Sequence, residues 1–94
     1  MELEWDEAKR ESNLAKHGLD FTVALELFTG YFMERLDTRQ DYNEDRWVAL
    51  GMIRGMTVVF VYTERGGKLR PISPRKATFR ERSIYEQTRQ KYVG

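Results

Sequence analysis

The longest uninterrupted apolar run in the chain, Val58-Val59-Phe60-Val61-Tyr62, is five residues long and sits inside a strongly β-branched stretch, 57–64. Such a run cannot cross a bilayer, which takes about 20 apolar residues in a helix. It is bounded by Arg54-Gly55 on one side and Arg65-Gly66-Gly67 on the other. Glycine accepts positive φ at little cost, so both boundaries read as hairpin turns around a strand. The rest of the fold must supply the neighbours of that strand.

Three neighbours are legible. Residues 31–38 read as a strand of mixed faces, followed by a polar loop, 39–45. Residues 46–53 form the next strand, with Trp47, Ala49 and Gly51 on one face and Val48, Leu50 and Met52 on the other. Residues 68–73 return after the second turn. Pro71 lacks an N–H, which predicts a sheet edge or a nitrogen pointing away from the ladder. A short strand at Leu3-Glu4-Trp5 also fits.

Helices flank this meander. Asp6 is a good N-cap for a helix over 7–17 that Gly18 ends, with Lys16 and His17 favoured in the last turn by the helix dipole. Asp20 is a candidate cap for a second helix, in which Phe21, Ala24, Leu25 and Phe28 make one stripe before Gly30. Thr78-Phe79-Arg80-Glu81 is a capping box that opens a last helix of about a dozen residues, after an irregular segment at 74–77. The predicted fold class is α+β, a single domain over residues 1–94 with a small antiparallel meander sheet.

Composition narrows the chemistry. The absence of cysteine excludes disulfides, thiolate metal ligation and a thiol nucleophile. His17 is the single histidine, at a helix end, and nothing specific marks the acidic side chains as a carboxylate-only metal site. No metal or cofactor is expected. The acidic N-terminus is not followed by a hydrophobic stretch, so no signal peptide or membrane association is read there and a cytoplasmic location is expected.

Charge is more informative. Residues 1–64 hold 7 basic and 13 acidic side chains, a net of −6, whereas residues 65–94 hold 9 basic and 2 acidic, a net of +7. Opposite blocks in a short chain mark either a basic face for a polyanion or a solvated helix paired with the acidic half. Arg75, Lys76, Arg80 and Arg82 gather around a predicted helix N-terminus, where cations are disfavoured unless an anion arrives. Tyr62, Phe79, Tyr85 and Tyr92 are interleaved with them, placed either to stack on bases or to fill a core. RNA offers a reaction such a surface can run without a metal: the 2′-hydroxyl attacks its own phosphodiester while cations hold the phosphorane. Arg guanidinium suits that anion bidentately, and Glu64 is a candidate base or a group that orients an arginine.

These residues carry a resemblance. Trp5-Asp6-Glu7-Ala8-Lys9, Asn13-Leu14-Ala15-Lys16-His17-Gly18-Leu19-Asp20-Phe21, Glu44-Asp45-Arg46-Trp47-Val48-Ala49-Leu50-Gly51, Val61-Tyr62-Thr63-Glu64-Arg65-Gly66-Gly67 and Ile72-Ser73-Pro74-Arg75-Lys76-Ala77-Thr78 resemble, in order and spacing, BrnT-type toxins of BrnT–BrnA type II toxin–antitoxin modules. The resemblance implies a RelE-like ribonuclease fold, two helices on a small antiparallel sheet with a C-terminal helix. It implies metal-independent RNA cleavage that inhibits translation, and neutralisation by a BrnA-like antitoxin. By position it points to Glu64, Arg65, Arg75, Lys76 and Arg80 as catalytic; Lys68, Arg70, Arg82 and Tyr85 are the residues expected to contact RNA beside them. A homodimer or a toxin–antitoxin hetero-oligomer is compatible with the chain. The alternative is a non-catalytic module that binds a nucleic acid or a partner through the same basic face.

Overall fold

The computed structural model describes residues 2–38 and 43–93, so residues 39–42 of the expected loop lie outside the described residues. In chain order the elements are α1 (Glu7–His17), a 3₁₀ segment (Val23–Thr29), β1 (Phe32–Leu36), β2 (Arg46–Ile53), β3 (Met56–Arg65), β4 (Lys68–Lys76) and α2 (Phe79–Val93). The four strands form one antiparallel sheet in the order β1-β2-β3-β4, the expected meander. None of the described helices is long and apolar enough to cross a membrane.

Asp6 caps α1 by accepting from the N–H groups of Ala8 and Lys9, and Gly18 closes it in the left-handed region at φ 71°. The second helix departs from expectation: it is 3₁₀, not α. Its buried side chains, with Phe21 just ahead of it, are Phe21, Ala24 and Leu27, a spacing of three that matches three residues per turn. Asp20 does not cap it in the α-helical manner. Its carboxylate takes the Thr22 N–H at 3.1 Å and is otherwise held by Arg10 at 2.6 and 3.0 Å.

The 3₁₀ segment lies on the sheet face carrying Ala49, Ile53, Val58, Phe60 and Tyr62, and together they make the core. Gly51 belongs to this face and lets the segment come close. A Cβ there would meet Leu27 Cγ at 2.6 Å. The β2–β3 turn has Arg54 and Gly55 at φ 50° and 80°, the positive pair of a two-residue hairpin loop.

β4 runs three residues further than predicted. The 74–77 segment is not irregular up to Lys76: Pro74 pairs with Phe60, Arg75 with Val59 and Lys76 with Val58, and the Ala77 N–H still reaches Thr57 O at 3.0 Å. A register shift opposite Val61 and Tyr62 absorbs Ile72 as a bulge. Pro71 sits in the last strand of the four, as its missing N–H requires. Beyond it, residues 2–4 add a single parallel bridge, Leu3 to Leu69, with Glu4 N–H donating to Leu69 O at 3.0 Å and Leu69 N–H to Glu2 O at 2.9 Å.

Asn13 ties α1 to β4. Its Nδ2 donates to Leu19 O and Pro74 O at 3.1 Å each, and its Oδ1 accepts from Ser73 Oγ at 3.1 Å. α2 crosses the opposite sheet face and is anchored there by one buried ring, Tyr85.

Candidate functional site

At the β3–β4 tip, cations are matched by carboxylates. Arg65 donates to Glu44 at 2.8 Å, Lys68 lies 3.8 Å from Glu2, and Arg70 lies 3.4 Å from Glu4. The bridge of residues 2–4 onto β4 delivers Glu2 and Glu4 to these positions. The hydrogen bond from Arg65 pulls the Glu44 carboxyl below its ordinary range. The tip is charge-balanced rather than basic.

Glu64 stands apart from the other proposed catalytic residues. Side chains alternate along β3, so Glu64 shares a face with Tyr62 and Phe60 and lines one cavity with Tyr62. Arg75 is the cross-strand partner of Val59, on the other face. Glu64 and Val59 are also five positions apart, about 17 Å of strand at ~3.4 Å per residue. One scissile phosphate cannot meet both. The structure separates Glu64 and Arg65 from Arg75, Lys76 and Arg80.

The surroundings of Glu64 are acidic and aromatic. Phe28, Phe32, Glu34, Tyr62, Glu64 and Leu69 line a cavity of about 400 Å³. The Tyr62 hydroxyl donates to Glu34, and burial, then that neighbouring carboxylate, push its pKa up. Glu44 and Asp45 border the adjoining space. Phosphate is repelled by such a face.

The basic character concentrates where β4 enters α2. Arg75 grips Glu81 bidentately at 2.8 and 2.9 Å. The same carboxylate accepts the Thr78 N–H at 2.8 Å, and Thr78 Oγ1 accepts the Glu81 N–H at 3.2 Å, which is the capping box read from sequence. The hydrogen bond from Arg75 is the main reason the Glu81 carboxyl sits at about 2, well below its usual range. Glu81 therefore stays ionised and orients Arg75. Its role in the capping box was legible in sequence, but its grip on Arg75 was not.

Lys76, Arg80 and Arg82 form no ion pair among the described residues. The Arg82 guanidinium lies 5.5 Å from the Phe79 ring centroid, and Phe79 is 76% exposed. Tyr85 departs from expectation. It is 1% exposed and its hydroxyl donates to Tyr31 O at 2.8 Å, so its ring is a packing anchor and is not presented to RNA. Tyr62 is likewise buried, whereas Phe79 and Tyr92 are open to solvent.

Two clefts border this end. Between α2 and the sheet, Met33, Arg35, Leu50, Val59, Glu81 and Ile84 line about 200 Å³. Between α2 and the β2–β3 turn, Met52, Met56, Lys76, Arg82 and Glu86 line about 450 Å³. Arg35 and Glu86 were not named as candidate functional residues from sequence, although Tyr85-Glu86 is part of the resemblance. Arg35 lies in a strand of ambiguous face, and Glu86 is recognisable only once α2 is docked. Among the described residues no three His, Asp or Glu side chains converge as a metal site.

Residues 5–81 match a family model described as the ribonuclease toxin BrnT of type II toxin–antitoxin systems. No curated protein sequence matches the chain.

Proposed function

The chain belongs to the BrnT family of ribonuclease toxins of type II toxin–antitoxin systems, and from that premise we propose that it is a metal-independent endoribonuclease acting at the junction of β4 and α2. The observation that carries the placement is the contrast in charge pairing. Arg65, Lys68 and Arg70 are each met by a carboxylate, whereas Lys76, Arg80 and Arg82 have none among the described residues. Unpaired cations around a helix N-terminus cost stability, and an arriving phosphate removes that cost.

In this reading Lys76, Arg80 and Arg82 hold the scissile phosphate, and Arg75, fixed in direction by Glu81, faces the same anion. The 2′-oxygen attacks phosphorus, the bond to the 5′-oxygen breaks, and a 2′,3′-cyclic phosphate is left. The cations stabilise the doubly charged phosphorane more than the singly charged diester, and that difference is what accelerates the reaction. Phe79, exposed beside Arg82, replaces Tyr85 as the aromatic that stacks on a base. Lys68 and Arg70, held by Glu2 and Glu4 respectively, contribute only to the outer path of the RNA backbone. Cleaving messenger RNA inhibits translation, and a BrnA-like antitoxin neutralises the toxin by covering this cationic end in a hetero-oligomer.

The test is cleavage by the purified chain of free RNA in excess EDTA and of ribosome-bound messenger in the Mg²⁺ that ribosomes require, with product ends mapped. Arg80→Ala and Lys76→Ala should each slow cleavage about 10²–10³-fold, whereas Arg70→Ala changes it less than threefold. Fragments ending in 2′,3′-cyclic phosphate support the reading. RNA that is bound but left intact under both conditions refutes it in favour of a non-catalytic binding module.

A further inference from the structure

A ribonuclease of this kind needs an acceptor for the 2′-hydroxyl proton, and the cationic half of the chain offers only two carboxylates, Glu81 and Glu86. Glu81 is consumed by Arg75 and the Thr78 N–H. Glu64 lies at the far end of β3, six positions or about 20 Å of strand at ~3.4 Å per residue from Val58, the cross-strand partner of Lys76, and so outside its reach. Glu86 meets the requirement by position. It follows Phe79 by seven residues and Arg82 by four, so the three side chains lie along one stripe of α2. That stripe borders the cleft of about 450 Å³ whose other wall carries Met52, Met56 and Lys76.

Two contacts hold the walls of this cleft. The Ala77 N–H to Thr57 O bond of 3.0 Å pins the end of β4 beside the β2–β3 turn, and the Arg82 N–H to Thr78 O bond of 2.9 Å is the first α-helical bond of α2. Within the cleft, Lys76, Arg82 and Glu86 share one opening without closing into an ion pair. Arg preceding Glu by four residues is the weaker order for helical pairing, which leaves Glu86 available. Cations and a carboxylate held apart across a gap are the arrangement a phosphodiester and its 2′-hydroxyl would bridge.

We propose that Glu86 is the general base of RNA cleavage, acting in the cleft it shares with Lys76 and Arg82; this rests on the ribonuclease reading above. The Glu86 carboxylate takes the 2′-hydroxyl proton as the 2′-oxygen bonds to phosphorus. The bond from phosphorus to the 5′-oxygen breaks, and the Lys76 ammonium gives its proton to that oxygen. Glu86 then loses its proton to solvent and Lys76 regains one, so no co-reactant is required. Phe79, on the same stripe, offers its open face to the adjacent base. Met52 and Met56 supply an apolar floor on the far wall.

The experiment compares wild type, Glu86→Gln, Glu86→Asp and Glu81→Gln in single-turnover cleavage of the same RNA. Binding is measured in parallel with a 2′-deoxy analogue at the cut site, and circular dichroism follows the fold. Glu86→Gln should lower the rate about 10²–10⁴-fold. Affinity for the analogue should change less than about threefold, and the spectrum should be unaltered. Glu86→Asp should recover part of the rate. Glu81→Gln should lower the rate less than Glu86→Gln does, because Glu81 does not accept the proton. Wild-type cleavage matched within threefold by Glu86→Gln overturns the assignment of the base while leaving the ribonuclease reading intact. Absence of wild-type cleavage on free and ribosome-bound RNA overturns both.

Discussion

Replacing Glu81 by glutamine isolates the one charge pair that fixes a proposed catalytic arginine. Gln keeps a side-chain carbonyl for the Thr78 N–H, so the cap is retained and the loss is confined to the ionic grip on Arg75. The carboxyl sits at about 2 against an ordinary value of 4.5. At ~1.4 kcal/mol per tenfold in acidity that displacement is a ceiling of roughly 3 kcal/mol. Glu81 keeps 29% and Arg75 37% side-chain exposure, so solvent screening brings the expected contribution to about 1–2 kcal/mol. The sign follows from a depressed acidity constant. The stabilisation is complete above the ordinary carboxylate range, near pH 5–6, and is lost as pH falls toward 2.

The assay is thermal unfolding of wild type and Glu81→Gln at several values between pH 7 and pH 2. For a domain of this size ~1 kcal/mol moves the midpoint by about 4–8 °C. The variant should therefore melt about 4–15 °C lower at pH 7, with the gap closing as the pH nears 2. Arg75→Ala should show a similar gap, and the double variant should lose less than the sum of the two. A gap that stays constant with pH, or additive losses, would refute the ion pair as the source.

Other outcomes follow from packing. Ala at Gly51 would relax backbone entropy by roughly 0.5–1 kcal/mol but force its Cβ to 2.6 Å from Leu27 Cγ and 3.2 Å from Phe32 Cβ, overpacking that costs about 1–3 kcal/mol. Urea unfolding should show net destabilisation, and an equally stable Gly51→Ala would mean the 3₁₀ segment moves aside freely. Tyr85→Phe removes the hydrogen bond to Tyr31 O and should cost about 1 kcal/mol in the same assay; an unchanged midpoint would deny that bond its anchoring role. Phe79→Ala, at a site 76% exposed, should leave stability within about 0.5 kcal/mol and weaken RNA binding about tenfold, consistent with the ~1–3 kcal/mol of one stacked base. Unaltered affinity would remove Phe79 from the RNA surface.

What could be read from the chain alone was whatever depends on neighbours along it. The period of two in 46–53 and 57–64, the positive-φ turns at Arg54-Gly55 and Gly66-Gly67, the Asp6 cap and the Thr78–Glu81 box are short-range consequences of dihedral preference and hydrogen-bond reach. They were legible because each is decided within about four residues. The concentration of positive charge after residue 64 was equally visible, and it located the candidate site coarsely.

Decisions made through space were not legible. Strand parity and length put Glu64 and Arg75 on opposite faces and about 17 Å apart along the sheet. A bridge between residues 3 and 69 supplied the carboxylates that balance Lys68 and Arg70. The rotation of α2 about its axis was set by seating Tyr85 against Tyr31, and that one choice buried Tyr85 while turning Phe79 outward. It also left Arg82 and Glu86 lining the cleft with Lys76. A weakly amphipathic helix carries no stripe strong enough to fix its own rotation. The pairing of charges and the facing of its aromatics therefore belong to the tertiary contacts that hold it.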